Sequence, residues 1–574
     1  MKNSSTQSDA AVLASSSANS VEEYEQPLFS RRDTLLTMLG VLMVMLLASL
    51  DQTIVSTAMP RVIADLQGFD RYTWVSTAYL LTSTVMVPIY GKLSDLFGRK
   101  PIFLFGVVIF LIGSALSGAS QSMNQLIAFR AFQGIGAGAL MPIAIAIVGD
   151  LFTPRERGKW QGVTGGVWGL SAIVGPTLGG WITQNSTWRW VFYVNVPIGI
   201  LALLVLIFLM PTLRSKAKQV SIDYTGAALL VLGTVPLLLG FTWAGTQYDW
   251  LSPQIIGLFV GAAIVLTAFM IYQAWLERRG GQPIIEPSLF KNSIFSVSTL
   301  VTIIFGMGLF GSIFFIPLFV QGVVGTSATN SGLILTPLML TSIVGSVISG
   351  QLVSRLGKYK WIAIFGMVVS VIGTYMLIRL DVHSTNTDVL LGMLVLGFGM
   401  GFGMALYTLI VQNALPRKIG QATSALVFFR QIGGTIGLAA MGSVMTSAYL
   451  PAFQNALPAA VKHAVPAQLL AAFNNPQVLL SPDALTQMQS RAAAGGPQAV
   501  ALLNQVIEAV RTGLAQGIHN VFVLSLVIMI LGLISVFFLK EIALKGKKSV
   551  ANDVAEGMEE DAASEPEDVM AAMM

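Results

Sequence analysis

Fourteen apolar segments run through this chain, and they restrict its fold more than any other feature. They fall near 34–58, 72–90, 101–119, 124–148, 158–183, 189–210, 224–243, 254–276, 294–320, 329–353, 360–379, 389–411, 421–448 and 518–539. An α-helix needs roughly 20 residues to cross a hydrocarbon layer about 30 Å thick. Lipid offers no water to backbone N–H and C=O groups, so segments of this length are predicted to be helical. The expected fold class is an all-α integral membrane protein with 14 transmembrane helices. The composition agrees: of 574 residues, 54% are hydrophobic and 11% charged, whereas a soluble domain carries about 25% charge.

The basic residues orient the bundle. An even number of spans leaves both termini on one side. With that side cytoplasmic, the inner segments hold 24 of the 33 Lys and Arg residues, the outer segments hold seven, and Arg130 and Arg430 lie inside spans. This is the positive-inside pattern. It also supports the span count, because one missed helix would invert every later loop. Residues 1–33 contain a polar Ser/Ala-rich stretch with no apolar core of a signal peptide, and read as a disordered cytoplasmic tail. Residues 541–574 read as an acidic cytoplasmic tail, with eight acids and no base from 549 onward.

Several function classes are not expected. Cysteine is absent, so there is no disulfide framework and no thiolate metal site. The three histidines, His383, His463 and His519, lie near segment ends or in a loop, and no metal centre or other cofactor is expected. No GxxxxGK[ST] loop is present for ATP. A net charge of +5 is too small to indicate nucleic acid.

A weak internal repeat suggests the organisation. Gly91-Lys92-Leu93-Ser94-Asp95-Leu96-Phe97-Gly98-Arg99-Lys100-Pro101 is echoed by Gly350-Gln351-Leu352-Val353-Ser354-Arg355-Leu356-Gly357-Lys358-Tyr359-Lys360, with Ser354 in place of Asp95. Both follow the second helix of a six-helix block. The expected architecture is an N-terminal six-helix bundle (34–210), two inserted helices with flanking loops (211–292), and a C-terminal six-helix bundle (293–540). Paired six-helix repeats with a substrate site between them are a transporter arrangement. An outer loop of 68 residues, 449–516, breaks the rule of short connections. Its Ala/Leu-rich pieces suit amphipathic helices on the outer face.

Four stretches carry a family resemblance. The charged turn 91–101 resembles the signature loop of the major facilitator superfamily. Leu50-Asp51-Gln52-Thr53-Ile54-Val55-Ser56-Thr57-Ala58-Met59-Pro60 is similar to the first-helix motif of its fourteen-span drug:proton antiporters. Gln125-Leu126-Ile127-Ala128-Phe129-Arg130-Ala131-Phe132-Gln133-Gly134 resembles their fourth-helix arginine motif. Gly165-Gly166-Val167-Trp168-Gly169-Leu170-Ser171-Ala172-Ile173-Val174-Gly175-Pro176-Thr177-Leu178-Gly179-Gly180 resembles their fifth-helix antiporter motif. The resemblance implies alternating-access export of hydrophobic drugs in exchange for protons across a bacterial inner (plasma) membrane.

The residues themselves support candidate roles. Asp51 is the only acid placed well inside a span, and intramembrane ionisable groups are functional sites by default. The competing reading is a first-helix end that reaches water, with Asp51 bonded to Thr53 or Ser56. Asp51 lies eight residues before Met59 and Arg130 six residues after Asn124, about 12 and about 9 Å from the outer surface at 1.5 Å per residue. Pairing of the two is therefore geometrically possible, with proton coupling as its use and a structural arginine on backbone carbonyls as the alternative.

Gly91, Asp95, Gly98, Arg99 and Lys100 form the candidate conformational latch. Gly165, Gly169, Gly175, Pro176, Gly179 and Gly180 make a bent, closely packed antiporter helix. Arg430 with Phe305, Phe310, Phe314 and Phe315 is a candidate substrate cavity, though such aromatics face lipid as often.

The expected function is proton-coupled export of a hydrophobic small molecule, with protons and the bilayer as the other partners. Compounds that are neutral, zwitterionic, anionic or at most singly cationic fit best, because one acid faces two bases. The alternatives are a dedicated exporter of one metabolite, lipid or siderophore, and a non-transporting membrane sensor. The sequence leaves the oligomeric state open.

Overall fold

The structure is a computed structural model that describes residues 30–66, 71, 73–211, 221–245, 247–325, 335–465, 470, 473 and 482–542. Most of the two expected tails lies outside these residues. Helices are the only regular elements among them. In chain order they are α1 (Arg31–Leu66), α2 (Thr73–Phe97), α3 (Arg99–Ala119), α4 (Met123–Leu151) and α5 (Pro154–Asn185). Next come α6 (Trp190–Leu209, with a break at Val194), α7 (Tyr224–Trp243), α8 (Pro253–Arg278) and α9 (Ser293–Phe319). The chain continues with α10 (Thr336–Leu356), α11 (Lys360–Ile378), α12 (Asn386–Ala414), α13 (Ile419–Ala456), α14 (Ala459–Ala464), α15 (Pro482–Ala494) and α16 (Pro497–Phe537).

Twelve of these helices are long and apolar enough to cross a membrane. Fourteen spans are expected from the sequence, and twelve meet this criterion among the described residues. The other two expected spans are α2 and α5, of 25 and 32 residues, and they are too polar to qualify. Packing explains why. α2 lies between α4 and α13, and α5 between α1 and α10. A helix flanked by helices needs less hydrocarbon than one facing lipid, and small or polar residues let it approach its neighbours closely.

The neighbour relations repeat along the chain. α1 packs on α5 and α6, α2 on α4, and α3 on α4 and α6; likewise α9 packs on α13 and α16, α10 on α12, and α11 on α12 and α16. The largest crossings between the sets are α2 with α13 and α5 with α10, and α4 with α13 and α5 with α12 also meet. α7 and α8 pair with each other, and α7 lies against α13 and α2. Each signature turn holds a glycine at positive φ, Gly98 (φ 93°, ψ 156°) and Gly357 (φ 68°, ψ 5°), where a Cβ is disfavoured, but the two differ in ψ.

The outer loop differs from its expected form. α13 and α16 have 38 and 41 residues, or about 57 and about 61 Å of helix. Each outruns a bilayer core of about 30 Å, so much of the expected loop 449–516 is a continuation of these two helices. Gly513 lets α16 approach Phe453, Gly517 lies against Met445, and the Tyr449 hydroxyl donates to the Phe473 carbonyl at 2.6 Å. Val461, Phe473, Val506, Val510 and Leu514 give this extension its own buried apolar seam.

Gly513→Val forces a branched side chain against the Phe453 backbone and is expected to cost about 1–3 kcal/mol. A thermal-unfolding midpoint equal to the parent's in detergent would contradict that packing.

Candidate functional site

Asp51 occupies the middle of α1 and is completely buried. Such a carboxylate needs donors, and three reach it. Arg130 Nη1 of α4 donates to Oδ2 at 2.8 Å, while Gln133 Nε2 of α4 and Asn195 Nδ2 of α6 each donate to Oδ1 at 2.9 Å. Arg130, 2% exposed, also donates to Gln133 Oε1 at 2.7 Å and lies 4.0 Å over the Tyr79 ring of α2. Arg130 and Gln133 are one helical turn apart and share a face of α4. Asn195 also donates to Ser114 Oγ at 3.0 Å. The reading with Asp51 bonded only to Thr53 or Ser56 at a wet helix end does not describe this site. Sequence reasoning missed Asn195, whose only signal was an amide inside an apolar run.

The end of the bundle that carries the charged turn is sealed. Asp95 Oδ2 accepts the backbone N–H of Gln421 at 2.9 Å, in the first turn of α13, where helix N–H groups lack partners and a negative charge is favoured. This bond crosses between the two sets of helices. Arg99 holds the acid in place, 2.5 Å from Asp95 Oδ1 and 2.6 Å from Asp150 Oδ2. Sequence reasoning did not single out Asp150.

Lys100 does not belong to this clasp. Its ammonium donates to the Ile207 and Met210 carbonyls at 2.8 and 2.6 Å, so two of its three N–H groups serve carbonyls left without partners at the end of α6. Gly91 clears space for Ser424 of α13, and Gly158 of α5 sits directly on Gly350 of α10. The connector between α8 and α9 closes the same end. Glu286 pairs with both Lys92 (3.5 Å) and Lys418, and Gln421 Nε2 donates to the Ile284 carbonyl at 2.8 Å. Along α13, residues 419–428 are buried on every face, whereas most of residues 438–448 are partly exposed.

The antiporter-like helix α5 divides its glycines between two partners. A Cβ on Gly175 or Gly179 would overlap Thr53 or Thr57 of α1. A Cβ on Gly165 or Gly169 would meet Ser346 or Ile343 of α10 at 2.8 and 2.6 Å. Gly180 faces open space, and α5 continues as helix through Pro176. Thr53 Oγ1 also donates to the Ser171 carbonyl at 3.0 Å, joining the Asp51 helix to α5.

Arg430 lies in a pocket among α9, α12 and α13 with Thr302, Phe305, Gly403, Tyr407 and Thr408. The other aromatic candidates lie apart from it. Phe310 packs on Gly434, and Phe315 is buried in an apolar cluster with Met441 and Tyr449. Phe314 is 52% exposed; nine residues after Phe305, it points to the opposite side of a helix that turns about 100° per residue. Phe314 and Phe315 are therefore corrected out of the Arg430 pocket.

Two paired substitutions separate the roles of the α5 glycines. Gly175→Val, within one helix set, is expected to lower stability by about 1–3 kcal/mol. Gly169→Val is expected to keep stability closer to the parent's and to expose the sealed end, measured as faster labelling of a cysteine placed at Ser424. Equal effects of both variants on both readouts would sink the distinction. Asp95→Asn is expected to slow turnover about tenfold with substrate affinity nearly unchanged, given a charge-assisted bond lost from one conformation. A loss confined to affinity would place Asp95 in a binding site.

The comparisons with known proteins agree with this geometry. The sequence profile of the Major Facilitator Superfamily matches residues 41–438. The chain is 40% identical over 536 residues to the multidrug transporter protein MdtP of Bacillus subtilis, covering 91% of this chain and 95% of that one. It is 38% identical to multidrug resistance protein 3 of the same organism, covering 89% and 96%. The fold is similar to that of the proton:xylose symporter XylE, with a TM-score of 0.55 at 14% identity, covering 92% of this chain and 100% of that one. The chain belongs to the Major Facilitator Superfamily and is a multi-pass membrane transporter, not an enzyme.

Proposed function

We propose that the protein is a proton-driven antiporter that exports hydrophobic small molecules across a bacterial plasma membrane. The observation that carries the reading is the buried Asp51 carboxylate with Arg130, Gln133 and Asn195 as its donors. Export of drugs is drawn from its relatives, two of which are named as multidrug proteins. In this reading α2 and α5 also cross the bilayer, giving fourteen spans. The bundle comprises residues 34–210 and 293–540 as two halves with 211–292 inserted between them, and both termini are cytoplasmic. The sealed end with its basic turns is then the inner face, which suits an outward-facing state.

The chemistry follows from hydrogen-bond bookkeeping. An ionised Asp51 only accepts, and three N–H donors suit that form. A proton arriving from outside takes the remaining site on Oδ2 and removes the carboxylate's charge, so the contact from Arg130 loses its ionic strengthening. Arg130 already has a second acceptor in Gln133 Oε1 and can keep that bond while releasing Asp51. The tie from α1 to α4 weakens. α1 is in turn packed against α5 through Thr53 and Thr57, and α5 against α10. Protonation thus biases the fit between the halves, as a ligand biases a two-state equilibrium.

Asp51→Asn is expected to abolish uptake driven by an imposed pH gradient in proteoliposomes, with the protein still inserted and folded. Continued gradient-driven accumulation of substrate by this variant would refute the assignment. Arg130→Ala is expected to lose coupling and Arg130→Lys to lose it in part, since lysine keeps the charge without the planar fork. Full activity of the alanine variant would leave the ion pair with a structural role only.

A further inference from the structure

We infer that Arg430 is the anchor for an anionic group, specifically a carboxylate, on the exported compound. The inference rests on the antiport reading and names the class of substrate.

Three charges stand in the apolar interior, and two of them neutralise each other. Asp51 has both oxygens occupied by Arg130, Gln133 and Asn195. Its charge is already matched by Arg130. Among the described residues the Arg430 guanidinium makes no ion pair, no side-chain hydrogen bond and no stack on a ring. It sits eleven residues into α13 from Ile419, about 16 Å along the axis, too deep for its stem to carry the charge to the surface. Arg430 is partly exposed and faces the space between helices; a charge at that depth is a ligand or ion site by default, and no described residue supplies its counter-charge.

The surroundings identify the counter-charge. Tyr407 and Thr408, 3% and 6% exposed, line the same pocket. Neither hydroxyl has a hydrogen-bond partner among the described residues. The pocket therefore offers a guanidinium and two rotatable hydroxyls with no acid nearby, a set that suits an anionic oxygen pair. Phe305 and Leu426 supply apolar walls. The free space at its tip is about 10 Å³, room for one water-sized group, which fits the oxygen end of a carboxylate. Val427, also in the lining, packs into the apolar cluster of the first six helices. The pocket thus borders the junction of the halves, where transporters of this architecture place their substrates.

The test uses rhodamine B, which carries a free carboxylate, and its ethyl ester, which shares the dye cation and lacks the acid. Binding to the full-length protein in nanodiscs is measured at equilibrium by fluorescence anisotropy. The acid is expected to bind about tenfold more tightly than the ester, as a charge-assisted bidentate contact allows. Arg430→Gln is expected to bring that ratio to about one, with Arg430→Lys in between, because the fork geometry matters as well as the charge. Tyr407→Phe, which keeps the packing, is expected to reduce the ratio about threefold. The ratio is the readout, so a general loosening of the site, which lowers both affinities, does not mimic the result.

Equal binding of the two dyes to the parent, a ratio that survives Arg430→Gln, or binding of neither dye overturns the inference. A parallel assay in proteoliposomes with an imposed pH gradient keeps the two readings apart. Loss of the ratio with gradient-driven transport intact removes only the anchor. A preserved ratio without gradient-driven transport removes only the antiport reading.

Discussion

A carboxylate cut off from water has to be held by donors, and the organisation of the first six helices follows from how Asp51 is held. Its partners come from α4 and α6, its own helix is α1, and Tyr79 of α2 covers the arginine. Four helices thus meet at one charge. Removing one member of such a pair leaves an uncompensated buried ion, which costs far more than the net contribution of the intact pair. That asymmetry makes the position difficult to vary for structural reasons alone. It also makes the site responsive, because a single proton changes which contacts are possible.

The junction between the helix sets is governed by a different requirement, close approach without permanent attachment. Gly158 on Gly350, Gly91 against Ser424, and Gly165 and Gly169 against α10 bring backbones together through small residues. Dispersion across such a surface is large in sum and small per contact, so the surface separates without a single dominant bond to break. The polar ties are concentrated at the sealed end. Asp95 crosses to the start of α13, and Glu286 joins Lys92 to Lys418 through the connector that follows α8. The inserted helices are therefore attached to the closure itself, through Ile284 and Ile285, which are buried there.

The three intramembrane charges differ in what their surroundings provide. Arg130 has an acid, an amide and a ring, whereas Arg430 has hydroxyls and apolar walls without a counter-charge. The same residue type thus stands in two electrostatic settings, one paired with an acid and one without a described counter-charge.

Much of this protein follows from its sequence because lipid permits so few solutions. Segment length and hydropathy determine helices, the distribution of Lys and Arg gives an expected orientation, and the isolation of Asp51 among apolar residues singles it out as a candidate. The depth match of Asp51 and Arg130 was also legible, because axial rise along a helix is fixed. Tertiary structure decided what depends on rotation and on residues far apart in the chain. Asn195, 144 positions from Asp51, and Asp150 beside Arg99 had no local pattern to mark them. Lys100 and Phe314 carry the expected residue types but point elsewhere, since a helix turns each side chain by about 100° from the last. α2 and α5 are less apolar than their neighbours because other helices, rather than lipid, surround them. The helical extensions of α13 past residue 448 and of α16 before residue 518 escaped a hydropathy criterion because they depend on a partner face that only the folded chain supplies.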